Sequence, residues 1–393
     1  MKTFTIAALG LVLMGSAEAG RYVLLAGPAE AGHYVLAAGP AEAERHVLVA
    51  GPAEAGHYLQ QDAHPTFAVG TATAQRGQKA YGVLEVPAGS DAGYDIPVAV
   101  IHGAKPGPVL AIVSGAHGTE YASIIAVEQL IDAVRPVDLS GTLILVPIVN
   151  VPSFEKLTPH VNPTDNKSMN RYYPGDPKGT QTDRASAVIT KEVVEQCDHL
   201  IDLHGGDLDE NLRAYSYWTV TGNQKQDAAS RAMVLAFGLD HIIISDDRPK
   251  DPNASRYLEN TASTRGKPSF TAEAGRSGPV VAADVAALVN GSLGTMRHLE
   301  MLAGTATPVA KPVWIEKIAS VPADRDGVFH ASVDRDAHVA KGAKIGFVTD
   351  YLNRPLQDVL APEAGIVMFI RAVPSLKKGD TMVNIGVVST QAR

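Results

Sequence analysis

The segment 108–131 constrains the fold of this chain more than any other. Residues 108–113 are apolar and bounded by turn residues, which predicts a short buried strand. A helical stretch follows at 121–131, so His117 lies in the turn that leaves the strand and Glu120 lies at the start of the helix. Because α/β proteins bind ligands in loops at the carboxyl ends of strands, His117 and Glu120 are candidate metal ligands. A capped surface loop is an equally good interpretation of this stretch alone.

Composition places the chain among ordinary globular proteins. Its 393 residues suffice for two or three domains, with 45% hydrophobic and 19% charged residues. The formal net charge of -8 gives no reason to expect nucleic acid or an anionic membrane surface as a partner. The single cysteine, Cys197, excludes an internal disulfide and is best interpreted as a small buried side chain.

Residues 1–19 have the pattern of a signal peptide. Lys2 supplies the positive charge, residues 4–14 are apolar, and Ala17-Glu18-Ala19 fits a small-residue cleavage site. The apolar stretch is too short to span a membrane, and no cysteine follows it to carry a lipid anchor. We therefore expect an exported, periplasmic protein without a membrane anchor.

A tandem repeat occupies residues 20–64. Its copies begin at positions 21, 33, 45 and 57, so the period is 12 residues, and Gly-Pro recurs in the first three copies. Gly-Pro breaks helices and central strands, and the period is shorter than that of stacking repeats. We interpret the repeat as a flexible linker; a metal-binding or adhesive tail through His33, His46 and His57 is the alternative.

Strand-like and helical runs alternate from 65 to 305, which predicts a catalytic domain of the α/β class, with a mixed sheet and helices on both faces. The predicted helices are 122–133, 184–196, 227–237, 254–264 and 280–302. Residues 306–393 show only short strands separated by Gly, Asp and Pro, which predicts a small C-terminal β-rich domain.

A second histidine also ends an apolar strand. His204 follows residues 199–203, and Asp202 lies two residues earlier on the same strand face. Asp202 can orient an imidazole by hydrogen bonding, as carboxylates behind metal ligands commonly do. The alternatives are a buried, hydrogen-bonded histidine and a purely structural carboxylate.

His117, Glu120 and His204 together make a two-histidine, one-carboxylate set, which is how a catalytic zinc is held with one position open. A zinc-bound water needs a general base, and Glu273, at the end of the predicted buried strand 269–273, is the best candidate. A surface carboxylate at a strand end is the alternative for Glu273.

Asn170 and Arg171 are candidate substrate-binding residues. The guanidinium of arginine grips a carboxylate with two parallel hydrogen bonds, and the neighbouring asparagine adds a neutral donor. A loop arginine that pairs with a surface acid is the alternative.

These motifs, in this order, resemble the succinylglutamate desuccinylase/aspartoacylase family, a branch of the zinc carboxypeptidase superfamily. The motifs are His117-x-x-Glu120, Asn170-Arg171 with Pro174-Gly175, Asp202-Leu203-His204 and Thr271-x-Glu273-x-Gly275. The resemblance covers residues 66–390 and implies a three-layer α/β/α core with one zinc per chain. It also implies zinc ligation by His117, Glu120 and His204, a general base at Glu273, and a substrate carboxylate held by Asn170 and Arg171.

The chain departs from better-known members of that family at two places. Ser168 stands where many members have an acid that supports a zinc histidine, and residues 158–168 contain no arginine, only His160 and Lys167. We expect a zinc-dependent deacylase acting on a small N-acyl amino acid, with Lys167 as a candidate oxyanion-stabilising residue. A metallocarboxypeptidase acting on peptides or cell-wall fragments, and a non-catalytic binding protein of the same fold, are the alternatives.

Overall fold

The computed structural model describes residues 64–390 and, before them, only four short strands. The predicted signal peptide lies outside the described residues, as does most of the repeat.

The strands are β1 (Tyr22–Ala26), β2 (Tyr34–Ala38), β3 (Leu48–Ala50), β4 (Tyr58–Gln60), β5 (Thr66–Val69), β6 (Ala72–Gln75), β7 (Gln78–Val86), β8 (Tyr94–His102), β9 (Lys105–Ser114), β10 (Ser140–Val146), β11 (His199–His204), β12 (Glu210–Leu212), β13 (Tyr215–Thr219), β14 (His241–Ser245), β15 (Ser269–Glu273), β16 (Val313–Pro322), β17 (Gly327–Ala331), β18 (His338–Val339), β19 (Lys344–Thr349), β20 (Pro355–Leu360), β21 (Gly365–Arg371), β22 (Ser375–Leu376) and β23 (Thr381–Val388).

The α-helices are α1 (Tyr121–Ala133), α2 (Val151–Glu155), α3 (Gln181–Ile189), α4 (Gln224–Phe237), α5 (Leu258–Ser263) and α6 (Ala282–His298). Short 3₁₀ helices occur at Pro136–Asp138, Met169–Arg171 and Pro252–Ala254, and a π-helical turn at Thr190–Val194 extends α3.

A large mixed sheet forms the centre of the molecule, in the order β12-β21-β23-β16-β14-β13-β15-β11-β9-β10-β8-β7, with β18 beside β21. Strands β10, β9, β11 and β15 are mutually parallel. Strand β13 runs antiparallel to β15, so it begins at the edge where β15 ends. The carboxyl ends of β9, β11 and β15 therefore lie side by side at one edge of the sheet.

Helices cover both faces of this sheet, as the alternating pattern predicts. Side chains alternate across the central strands: Ile112 faces α1, α4 and α6, whereas Val113 faces α3 and α5. Both faces are largely apolar and buried, which matches the continuous apolar run at 108–113 in β9; β11 is equally buried but contains Asp202 among its apolar residues. The predicted three-layer α/β/α architecture is confirmed.

One predicted helix is interrupted. Within 254–264 the structure has the end of a 3₁₀ turn, then a break, and α5 begins only at Leu258. Arg256 adopts a φ of 68°, outside the helical region, and exchanges backbone hydrogen bonds with Tyr173. This long-range contact overrides the local helical pattern. The short α2 and β12 were not predicted.

The C-terminal β region is present and partly continuous with the central sheet. Strands β16, β18, β21 and β23 extend that sheet, whereas β17, β19, β20 and β22 form a separate four-stranded sheet. β16 joins the core by parallel pairing with β14. The division that the composition predicts near residue 306 thus falls just before a strand that both regions share.

The four short strands before residue 64 alternate along the chain with the three Gly-Pro positions of the repeat. β1 pairs with β2, and β3 pairs with β4, both antiparallel. Short strands in this segment were not predicted; that the repeat is a linker stays a prediction. Within the part of the chain that the structure describes, no helix has the length and hydropathy needed to cross a membrane.

A buried ion pair between Arg184 and Asp91 links α3 to the loop after β7. Arg184 is only 2% exposed; it contacts Asp91 and donates to the backbone oxygens of Pro87 (2.8 Å) and Gly179 (2.7 Å). Removing one partner of a buried pair leaves the other charge and several acceptors without donors.

We expect Arg184→Met to lower the free energy of unfolding by about 3 kcal/mol, measured by urea denaturation. The matched control is Arg354→Met, which removes an exposed pair with Asp350 and should cost less than about 1 kcal/mol. Equal losses in the two variants would show that the Arg184 contacts do not stabilise the fold.

Candidate functional site

Three predicted metal ligands meet at the edge where β9 and β11 end. His117 Nδ1 lies 2.7 Å from Glu120 Oε1, and His204 Nδ1 lies 2.9 Å from Glu120 Oε2. The nitrogen and carboxylate donor atoms of the three residues all lie within 4.8 Å of one another. His204 follows Glu120 by 84 positions in the sequence, and the parallel pairing of β9 with β11 brings the two residues together.

Backbone geometry fixes the carboxylate of Glu120 between the two rings. Gly205 N donates to Glu120 Oε2 at 3.0 Å. A side chain at Gly205 or Gly206 would collide with the backbone that follows β15, because a Cβ atom at either position would lie 2.7 Å from a carbonyl oxygen. Glycine at these two positions therefore allows the chain after β15 to approach the loop after His204 closely.

The outer nitrogens of both histidines have partners. His204 Nε2 lies 3.2 Å from Asp202 Oδ1 and 3.4 Å from Asn170 Nδ2. His117 Nε2 lies 3.3 Å from Ser168 Oγ. Ser168 thus occupies the position where many family members would place an acid, and it offers a hydroxyl instead. Partners on the outer nitrogens orient both rings so that each Nδ1 faces the cluster.

The charges at the cluster favour a cation. Burial opposes ionisation of Glu120, but His117 and His204 outweigh it and hold the pKa of Glu120 below its usual range. Burial likewise opposes a charge on His204, but Asp202 and Glu120 raise the pKa of that imidazole well above its usual value. The buried carboxylates of Asp202 and Glu120 therefore favour positive charge on the His204 imidazole. Two imidazoles and one carboxylate are also a donor set that suits zinc, so the residues present fit a metal ion.

Glu273 lies beside this cluster. It ends β15 directly opposite His204 in the parallel pairing, and Tyr215 OH donates to its Oε2 at 3.0 Å. Burial is the main cause that raises the pKa of Glu273 to about 8, and the nearby carboxylates Glu120 and Glu210 raise it further. His204 and the Tyr215 hydrogen bond act in the opposite direction. A carboxyl group with this pKa can take up and release a proton near neutrality.

The predicted substrate-binding pair, Asn170 and Arg171, reaches the cluster through Asn170, which contacts His204. Asn170 uses its side chain internally: its Oδ1 accepts from Leu258 N at 3.3 Å, while its Nδ2 faces His204. The Arg171 guanidinium lies 4.8 Å from the centre of the Tyr257 ring, and its Nη1 donates to the backbone oxygen of Asn170. Among the residues described, Arg171 makes no ion pair with a carboxylate, so its charge is available to a ligand.

Lys167 is directed elsewhere. Its ammonium contacts Asp183 Oδ2 at 2.6 Å and lies 4.5 Å from the centre of the Tyr172 ring. Desolvation opposes the charge, but Asp183 raises the pKa of Lys167 above its usual value. Nothing in these contacts directs the ammonium to the metal-ligand cluster, so the oxyanion role stays a prediction without structural support.

Sequence reasoning missed several residues around the cluster. The Arg248 guanidinium lies 4.0 Å from the centre of the Tyr257 ring, so Arg171 and Arg248 both contact that one ring. His160 contacts Asp209 Oδ1 at 2.7 Å, and its ring centre lies 6.4 Å from that of His117. Burial would lower the pKa of His160, but Asp209 and other nearby carboxylates raise it to about 9.

Known proteins resemble this chain in sequence and in fold. The family described as "Succinylglutamate desuccinylase/Aspartoacylase catalytic domain" matches residues 106–299, the segment that supplies all the site residues above. The chain belongs to the succinylglutamate desuccinylase/aspartoacylase family. One relative is the N-alpha-acetyl-L-2,4-diaminobutyric acid deacetylase of Halomonas elongata, which is 24% identical to this chain over 318 residues. The match covers 78% of this chain and 91% of that protein.

Solved structures of family members share the fold. The ectoine utilization protein EutE (DoeB) of Ruegeria pomeroyi, with product bound, superposes with a TM-score of 0.73 at 24% identity over 82% of this chain and 99% of that one. A succinylglutamate desuccinylase/aspartoacylase from Rhodobacter sphaeroides gives a TM-score of 0.71 at 23% identity over 80% and 96%. The resemblance inferred from the ordered motifs is confirmed at the level of family and fold.

Metal-free protein allows a direct test of the environment of Glu273. Its pKa in the folded protein is raised from 4.5 to about 8, so the unfolded chain ionises first as the pH rises. The contribution of Glu273 to the free energy of unfolding therefore falls as the pH rises from 4.5 to about 8. We expect chelator-treated Glu273→Gln to lose less stability than wild type between about pH 5 and about pH 9. Parallel stability curves would contradict the buried environment.

Proposed function

We propose that this chain is a zinc-dependent deacylase that hydrolyses the amide bond of small N-acyl amino acids, with one zinc per chain. The observation that carries the proposal is the placement of Glu273 next to His204, on the strand adjacent to the three-residue cluster. A proton-transferring carboxyl group beside a two-histidine, one-carboxylate set is the arrangement that metal-assisted hydrolysis requires. The Halomonas relative, whose name states an N-acetyl amino acid deacetylase, supports the same reaction class.

His117, Glu120 and His204 would hold the metal, and Asp202 and Ser168 would orient the two rings. When bound, zinc supplies Lewis acidity, which polarises a carbonyl group and makes a water molecule more acidic.

Glu273 then moves the proton. Tyr215 occupies its Oε2, so Oε1 accepts a proton from the attacking water while the water oxygen bonds to the amide carbon. The same proton passes to the nitrogen as the C–N bond breaks, and the products are a carboxylic acid and a free amine. A positive charge in the neighbouring cluster lowers the pKa of Glu273 below its metal-free value, which favours this role near neutral pH.

Arg171 would bind the carboxylate of the amino acid. Its guanidinium contacts the Tyr257 ring, and a bidentate pair with a carboxylate would fix the distance between the scissile amide and Glu273. We also propose that the protein acts outside the cytoplasm, on the strength of the signal-peptide pattern at 1–19.

Metal binding can be tested without an activity assay. We expect His204→Ala to lose zinc on dialysis, because one of three ligands is gone, and Asp202→Asn to bind zinc about 10 to 100-fold more weakly. The control His330→Ala alters a histidine stacked on Phe347 in the C-terminal sheet and should keep full zinc. Elemental analysis showing equal zinc in all three variants would reject the assigned ligand set.

Turnover separates proton transfer from substrate binding. On a panel of N-acyl amino acids we expect Glu273→Gln to retain zinc and substrate affinity while kcat falls about 10² to 10⁴-fold or more. Arg171→Ala should chiefly raise KM, because it removes binding that ground state and transition state share. Near-normal kcat in Glu273→Gln would overturn the mechanism. If the protein hydrolysed peptides but none of the N-acyl amino acids, the result would favour a carboxypeptidase.

A further inference from the structure

Tyr217 is a half-buried residue to which the proposed mechanism gives no role. It lies in the middle of β13, and the residues on either side of it are buried. Tyr215, two residues earlier, is on the same face of the sheet; it pairs with Glu273, which in turn pairs with His204. Tyr217 therefore lies on the face of the sheet that carries the candidate site, one row behind the residues at its edge.

Contacts between rings and guanidinium groups connect Tyr217 to the substrate-binding arginine. The rings of Tyr217 and Tyr215 are 5.4 Å apart and meet at 82°. The Arg248 guanidinium lies 5.7 Å from the centre of the Tyr217 ring and 4.0 Å from that of Tyr257. Arg171 contacts the same Tyr257 ring at 4.8 Å. One wall therefore contains Tyr217, Tyr257 and both arginines.

The electrostatic environment of Tyr217 agrees with this placement. Burial is the main cause that raises its pKa, and the Glu273 carboxylate raises the pKa further. Tyr215, Arg248 and Arg171 act in the opposite direction. Because interactions between charges weaken with distance, the Tyr217 hydroxyl lies near the proton-transferring carboxyl group and near both guanidinium groups.

Two donors of this wall have no acidic partner of their own. Arg248 does have one nearby: burial raises the pKa of Glu259 to about 7, and Arg248 lowers it. Among the described residues, by contrast, no carboxylate forms an ion pair with Arg171 or accepts a hydrogen bond from the Tyr217 hydroxyl. Arg171 and Tyr217 are therefore the cation and the hydroxyl that this wall can offer to an anionic ligand.

We propose that Tyr217 binds the substrate carboxylate together with Arg171. The guanidinium donates to both carboxylate oxygens, and a remaining lone pair accepts from the Tyr217 hydroxyl, since a carboxylate has about four such sites. The inference rests on the proposed function, because it assigns part of the site that selects an N-acyl amino acid. Two tyrosines on one face of β13 then have separate roles: Tyr215 donates to Glu273, and Tyr217 donates to the substrate.

Binding to Tyr217→Phe, which lacks the hydroxyl and keeps the ring, tests the proposal. Calorimetric titration uses zinc-loaded Glu273→Gln protein, with and without Tyr217→Phe, and the N-acetyl derivative of each proteinogenic amino acid. We expect at least one derivative to bind, and the loss of the hydroxyl to weaken that binding about 10 to 100-fold, because a hydrogen bond to a charged group disappears. The control Tyr81→Phe alters an exposed tyrosine on β7 and should leave binding unchanged.

A double-mutant cycle distinguishes a shared ligand from a structural role. If Tyr217 and Arg171 hold the same carboxylate, Tyr217→Phe should weaken binding much less when Arg171→Ala is already present. Equal weakening in both backgrounds would overturn the proposal. In protein with Glu273 intact, Tyr217→Phe should raise KM for N-acetyl amino acids and leave kcat and zinc content near those of wild type.

The outcomes separate this inference from the proposed reaction. Normal turnover with an unchanged KM in Tyr217→Phe would overturn the role of Tyr217 and leave the proposed function standing. Binding that depends on both Tyr217 and Arg171, without turnover by wild type, would support the role of Tyr217 and contradict the hydrolase. A fall in kcat at unchanged KM would show that Tyr217 acts through Tyr215 on Glu273, which would overturn the proposal, as would the absence of binding by every N-acetyl amino acid.

Discussion

The buried carboxylate of Glu120 holds the candidate site together. It accepts from Gly205 N and lies within hydrogen-bonding distance of His117 and His204, so it links the loop after β9 to the end of β11. A carboxylate this deeply buried is unfavourable unless positive charge compensates it. The His204 imidazole, whose pKa is raised, supplies such charge, and a bound cation would supply it more strongly. The pKa of Glu120 is accordingly lowered despite its burial.

Parallel strand pairing made much of this site predictable. His117, His204 and Glu273 each follow or end an apolar run in the sequence, and parallel strands place such ends at one edge of a sheet. The α/β class, the helices α1, α4 and α6 and the candidate ligand set could therefore be inferred from periodicity and from the ordered motifs. The remaining step, direct opposition of His204 and Glu273, depends on the register of β11 with β15, which periodicity does not specify.

The residues that sequence reasoning missed are those whose roles depend on long-range contacts. Tyr215 reaches Glu273 because β13 runs antiparallel to its neighbour, so its first residue lies at the edge where β15 ends. Arg248 follows a different strand and is recognisable only by its contact with the Tyr257 ring. The break in the helix predicted over 254–264 has the same origin, since Arg256 pairs with Tyr173 across the fold. Local patterns contain no information on such pairings.

The C-terminal strands also support the loop that follows His204. Arg371, at the end of β21, contacts Asp209 Oδ2 at 3.2 Å, and β12 pairs antiparallel with β21. Asp209 in turn contacts His160, whose ring lies beside that of His117. The sequence divides the chain near residue 306 because the pattern of helices stops there, but the sheet and these charged contacts continue across that point. Because β21 holds the loop carrying Asp209, the C-terminal region is part of the framework that positions the site rather than an appendage to it.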